Sequence, residues 1–259
     1  VSSTSANKPR VTLPERLELE YMLDQRRLMR QLEWFTVAAL SKFNQDRRQD
    51  SPALTAFLRL STPEILDEAK LRRRLRQLAS TLTSQKLREL KAILGREVSM
   101  PSPGLIRGWI DNQVEAIQFS VEQWLQTATS KLAEGATTGT SVAEMTAGLK
   151  VLSKSLGKQA EERASFRLLQ LNSQIIQEVA QGAGSSHYRW QTEEDSRVRP
   201  NHAALNESIQ SWDTPPMGGG TRPGDQGAPG SGYGCRCIAE PLPGRAPIGA
   251  HGPAPEKLF

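Results

Sequence analysis

The chain has 259 residues, of which 37% are hydrophobic and only 5% aromatic, and its mean hydropathy is −0.50. That is room for one large domain or two modest ones, and it points to extended helices rather than to a thick aromatic core. No run of about 18 apolar residues is present, which argues against a helical membrane span, and the net charge of +5 is mild.

Residues 1–12, opening with VSSTSANKPRV, are polar, contain no apolar stretch of the kind a signal peptide uses, and read as a flexible arm. From Leu13 the pattern is helical. Leu17, Tyr21, Leu28, Leu32, Phe35 and Ala39 advance by three, four or seven. Pro14 suits the first turn, where a missing N–H costs nothing. NQDRRQDSP (44–52) breaks the pattern, and a short helix is expected over Pro52–Leu60. The next helix starts at STPE, with Thr62 as cap and Pro63 at the first helical position. It continues through Leu71, Leu75, Leu78, Leu82, Leu87, Leu90 and Leu94.

This helix opens the most basic part of the chain. Residues 70–107 have ten Lys or Arg against two Glu. Arg72, Arg73, Arg74 and Arg76 are therefore the candidate contacts for nucleic acid or an acidic partner. A solvated helix face explains them equally well.

GREVSMPSPG (95–104) is a breaker. The most regular helix follows, through Ile106, Ile110, Val114, Ile117, Val121, Leu125, Ala128 and Leu132. Ser141 and Glu144 read as a capping box. They start a helix from Val142 to about Ala180, with a break expected near Gly157. These stripes are long and thin. One chain has little else to cover them, so neighbouring copies or another subunit are expected to do so.

The character changes after residue 182. HYRWQT (187–192) and CRCIAEPL alternate like strands. RPNHAALNES reads as a short helix with Pro200 first. TPPMGGGTRPGDQGAPGSGYG (214–234) is too rich in Gly and Pro for regular structure. The fold class is therefore mainly α: an elongated helical region, 13–182, then a small α+β knob, 183–242, with a Gly/Pro-rich loop, and an extended tail, 243–259.

The knob concentrates the chemically capable residues. Asp195, Arg197, Arg199 and His202 lie on one side of the loop; Cys235, Arg236 and Cys237 lie on the other. Three readings compete. A zinc site needs about four ligands; His202, Cys235 and Cys237 supply three, with His187 or Asp195 as a fourth, but C-x-C is an unusual chelate spacing. A catalytic site would use a Cys as nucleophile, His202 as base and Asp195 to orient it, yet no nucleophile elbow or phosphate loop accompanies them. A structural lock is favoured: Arg236 clamps Asp195 in a buried pair, while Arg197 and Arg199 pin loop carbonyls. On that reading the chain is not an enzyme, uses no cofactor and needs no metal.

The order and spacing of these residues resemble the Mu F-type minor head protein family of tailed bacteriophages. The likeness is carried by Trp190, Asp195, Arg197, Arg199, His202 and Leu205, then Pro215, Pro216, Arg222, Pro223, Gly224 and Asp225, and finally Cys235, Arg236 and Cys237. Some members have cysteines in place of Arg199 and His202 and a His shortly before the second cysteine motif, which looks like a zinc ligand set; this chain departs from that version. The resemblance implies a low-copy protein inside the capsid at the portal vertex, present in the host cytoplasm during assembly. It also implies a role in head assembly, genome packaging or ejection. The implied partners are the portal protein, neighbouring copies, packaged double-stranded DNA and capsid or scaffold protein, with no membrane. The alternative is a DNA-binding or DNA-processing factor packaged in the head.

Overall fold

The structure is a computed structural model that describes residues 10–45 and 66–244, without the side chains of 42–45. It is mainly helical. The described elements are α1 (Glu15–Gln45), α2 (Glu68–Leu94), α3 (Pro103–Thr138), α4 (Val142–Gly182), β1 (His187–Gln191), α5 (Pro200–Ala203), β2 (Ile209–Ser211) and β3 (Ile238–Pro241). The helix expected over Pro52–Leu60, the Thr62–Pro63 start and most of the tail lie outside the described residues. The chain divides into two compact units, one made from residues 10–18, 77–107 and 166–244, the other from 19–45, 66–76 and 108–165.

In the second unit, the apolar stripes of α1, α3 and α4 cover one another. Leu32 on α1, Val121 and Trp124 on α3, and Leu149 on α4 are almost fully buried in one cluster. The sequence reading looked outside the chain for this cover. The helices supply it themselves because three long amphipathic faces converge. Leu28 and Phe35 pack against the same cluster. α4 runs through Gly157 without a break. This turn packs against α1, where a Cβ at 157 would make an ordinary contact, 3.7 Å, with the Cβ of Met29, and that packing outweighs the weak helix propensity of glycine. The capping box at the start of α4 is formed, with Glu144 N donating to Ser141 Oγ at 3.2 Å and Ser141 N donating to Glu144 Oε2 at 3.0 Å.

α2 begins at Glu68. Asp67 is its cap, its Oδ1 accepting from Lys70 N at 2.9 Å. The basic run that follows is partly occupied. Arg72 binds Glu68 at 2.7 Å and Asp111 at 2.5 Å, and Arg74 binds Asp24 at 2.7 Å and Glu20 at 3.3 Å. Arg73 and Arg76 are exposed.

In the first unit, the C-terminal half of α4 leads into a three-stranded antiparallel sheet of order β2-β1-β3. β2 was not anticipated, since IQS carries no alternation long enough to register. β3 begins after the cysteines, so they lie in the lead-in and not on the strand. Tyr188 and Trp190 of β1 and Trp212 after β2 are buried together, with the Tyr188 and Trp212 rings 4.3 Å apart. The described end of the N-terminal arm is anchored here. Val11 is buried, and Thr12 Oγ1 donates to Glu89 Oε1 at 2.7 Å. The Lys86 ammonium, wholly buried, donates to the Thr12 carbonyl and to Glu89 Oε2 at 2.8 Å. A buried cation needs such partners, and this requirement holds the arm in place.

Candidate functional site

The site is assembled from two segments separated by a long loop. The first begins where β1 ends. Asp195 folds back in a tight turn, its Oδ1 accepting from Arg197 N at 3.0 Å and its carbonyl from Val198 N at 3.0 Å. Pro200 then occupies the first position of α5, and that single turn carries His202 inward to 1% exposure. The second segment is Cys235-Arg236-Cys237. Its alternation places both sulfurs inward, at 2% and 7% exposure, and Arg236 toward Asp195.

The loop between them is packed against itself rather than loose. Gly218 N and Gly220 N both donate to the Asp225 carbonyl, at 2.9 and 3.1 Å, and Met217 and Gln226 form an isolated antiparallel bridge. Its glycines are required where the two limbs meet. A Cβ on Gly219 would collide with the Gly227 carbonyl, and one on Gly227 would lie 2.8 Å from the Gly219 oxygen. Asn201 donates to the Gly218 carbonyl, and Ser173 of α4 donates to the Pro229 carbonyl. These anchors were invisible in the sequence. Asn, Ser and a backbone carbonyl carry no motif, and the glycine run was the only signal for close backbone approach.

Asp195 and Arg236 do meet. A single nitrogen, Nη2, donates to both carboxylate oxygens at 2.6 Å. This is not the two-nitrogen fork expected of a guanidinium. The side chains are 34% and 23% exposed, so the pair is half-buried and not buried as expected. Arg236, aided by the Arg197 backbone and side chain, holds the Asp195 carboxyl down at about 2, against the burial that works to raise it. Arg197 itself binds Asp195 Oδ2 at 3.1 Å and reaches no loop carbonyl. Arg199 does: it donates to the Tyr233 carbonyl.

His202, Cys235 and Cys237 converge. Nδ1 of His202 is 3.5 Å from Cys235 Sγ and 3.4 Å from Cys237 Sγ. Nε2 is 2.9 Å from the Gly220 carbonyl, an acceptor only, so Nε2 carries a proton. The Trp190 ring meets the imidazole edge-on at 5.4 Å. Both cysteines are free and buried. The hydrogen bond with Cys237 pulls the Cys235 thiol down to about 4, while that bond and burial push the Cys237 thiol up. The hydrogen bond to Cys235 raises His202, against desolvation.

Of the catalytic arrangement considered from sequence, the structure brings the cysteines and His202 together but not Asp195. Gly220, not Asp195, orients His202, and Asp195 is engaged by Arg236 and Arg197. Nor do His187 or Asp195 join the trio as a fourth ligand. His187 Nδ1 is bonded to Ser186 Oγ at 2.9 Å, and the three-residue group is the potential metal-ligand cluster among the described residues.

A long-helix protein ending in a compact Cys/His knob closed over a glycine loop is the kind of protein these elements define. Residues 126–240, which span the C-terminal part of α3, all of α4 and the whole site, match the family model "Phage Mu protein F like protein" and are to that extent Mu F-like. An uncharacterised protein of Haemophilus influenzae is 32% identical over 93 residues, covering 34% of this chain and 19% of that protein. The chain thus spans about a fifth of the curated relative it matches. No solved structure matches. Among the described residues, no helix is long and apolar enough to cross a membrane.

Proposed function

We propose that the chain is a structural minor head protein of a tailed bacteriophage, positioned inside the capsid at the portal vertex. There it aids head assembly, genome packaging or ejection, after a period in the host cytoplasm. The observation that carries this reading is the Mu F-like match over residues 126–240. On this reading residues 13–182 form the contact body and 183–242 a knob that presents a fixed surface, with no catalytic turnover and no organic cofactor. Asp195, Arg197, Arg199, His202, Cys235, Arg236 and Cys237 keep the knob closed. The helical body supports contact with portal protein, neighbouring copies, and capsid or scaffold protein. Trp34 and Val151, 72% and 71% exposed, are apolar side chains on this body available for such contacts.

Mass spectrometry of purified virions tests the placement, with cryo-electron microscopy of the portal vertex. The expected result is a fixed copy number per portal that survives nuclease treatment. Absence from mature and immature heads alike would sink the reading. The alternative, a packaged DNA-binding factor, draws on Arg73 and Arg76, but the acidic partners of Arg72 and Arg74 weaken it. It requires binding of naked duplex DNA with a steep salt dependence.

A further inference from the structure

The closure of the knob leaves the His202 trio unexplained by hydrogen bonding alone. One Nδ1 makes one good hydrogen bond, yet two sulfurs approach it at nearly equal distance, 3.4 and 3.5 Å. Its other nitrogen is already committed to the Gly220 carbonyl. That second contact is the one that commonly fixes the ring orientation of a metal-ligating histidine. A tetrahedral zinc with bonds of about 2.3 Å to sulfur and about 2.0–2.1 Å to nitrogen sets the S···N separation at about 3.5 Å. The observed pair of distances matches that figure. The three ligand atoms all lie within 4.8 Å of one another.

The surroundings fit as well. Two thiolates and a neutral imidazole around a divalent ion give no net charge, which suits residues at 1–7% exposure. The buried indole N–H of Trp190 has no hydrogen-bond partner among the described residues. Beside the trio is a cavity of about 20 Å³ lined also by Glu193, Val198 and Arg199. That holds about one water, enough for a fourth ligand.

We propose that His202 Nδ1, Cys235 Sγ and Cys237 Sγ form a binding site for a soft divalent cation, zinc above others, with water in the fourth position. The ion ties α5 to the lead-in of β3 and releases the thiol protons as it binds. It adds to the Asp195–Arg236 pair and does not depend on the portal assignment.

The test uses the untagged full-length chain, purified under reducing conditions from zinc-supplemented cells. Elemental analysis should find one zinc per chain, as one such site requires. Cobalt added to zinc-free protein should give thiolate charge-transfer absorption and the intense visible bands of a tetrahedral ion. His202→Ala and Cys237→Ser should lose both signals. If either variant misfolds, the wild type still decides the matter: a chelator should strip the zinc and increase protease cleavage within 203–234, and zinc should reverse this. Folded, reduced wild-type protein without zinc and without cobalt charge transfer would overturn the proposal. So would cysteines found joined to each other in the protein as purified.

Discussion

The glycine loop offers the sharpest test of how the knob is held. Gly219→Ala adds one methyl group where two backbone limbs touch. The new Cβ would collide with the Gly227 carbonyl oxygen, lie 3.0 Å from its carbon and 3.1 Å from the Trp190 ring. Neither neighbour gives way easily, one being backbone and the other a fully buried side chain. The limbs must therefore part. Three hydrogen bonds cross or close them: Gly218 N and Gly220 N to the Asp225 carbonyl, and Gly227 N to the Pro216 carbonyl at 3.3 Å. At about 1 kcal/mol net for each, their loss costs about 3 kcal/mol, before about 1–3 kcal/mol for overpacking.

A loss of about 3 kcal/mol from the hydrogen bonds alone sets a lower bound of about a hundredfold on the rise in the open population. Native-state hydrogen exchange at Gly218, Gly220 and Gly227 reads that population directly, and limited proteolysis across 214–234 reads it more coarsely. Gly224→Ala is the control. Nothing lies within 4 Å of its added Cβ and its φ is ordinary, so it should change stability by less than about 1 kcal/mol, in either direction. Equal exchange in the two variants would show that the loop is loose and that the packing argument is wrong.

Acid should loosen the knob through Asp195. Its carboxyl is held near 2 in the folded chain, below the ordinary range near 4, so the unfolded state binds the proton more readily. The stabilisation is complete above about pH 4 and is lost as pH falls through about 2; Asp195→Asn should remove this part of the profile in a proteolysis series, and an unchanged profile refutes the assignment. Reversing Arg73 and Arg76 to Glu should leave thermal unfolding unchanged. Reversing Arg72 and Arg74 should lower the melting temperature by setting like charges against Glu68, Asp111, Asp24 and Glu20; equal melting of the two double variants counts against the ion pairs. Trp124→Ala empties the centre of the second unit's core and should cost about 3–5 kcal/mol in denaturant titration, and a loss under about 1 kcal/mol would mean that the three faces do not converge on it.

Helix existence was legible because it depends on spacing alone. Leu17, Tyr21, Leu32 and Ala39 share a face whatever covers it, and Ser141 and Glu144 meet across one turn. What covers those faces was not legible, since nothing within a helix says which other helix it meets. The same limit applied to Arg72 and Arg74. Their neighbours in sequence are basic, while three of their acidic partners, Asp111, Asp24 and Glu20, come from α3 and α1. In the knob, rare residue types and their order marked Asp195, His202 and the cysteines. The Gly220 carbonyl that orients His202 was hidden, because every residue has a carbonyl and only the folded loop selects one.

The knob's ties are mutually dependent for a reason that lies in the chain rather than in any one bond. Asp195 reaches across 41 positions to Arg236, His202 across 33 to Cys235, and Arg199 across 34 to Tyr233. All three close nearly the same loop. Closing about 33 residues costs about 3 kcal/mol by the logarithmic loop rule, while lengthening the loop by a few residues adds almost nothing. Whichever tie forms first bears that cost. The others then form between groups already brought together, and each prevents the loop from reopening when another breaks. A half-buried ion pair that is weak alone thus becomes effective beside the Cys/His trio. The trio in turn keeps its geometry because Asp195 and Arg199 hold the flanking backbone. The glycines that permit the limbs to touch are part of the same arrangement, since without close approach neither the Gly220 carbonyl nor the sulfurs would reach the imidazole.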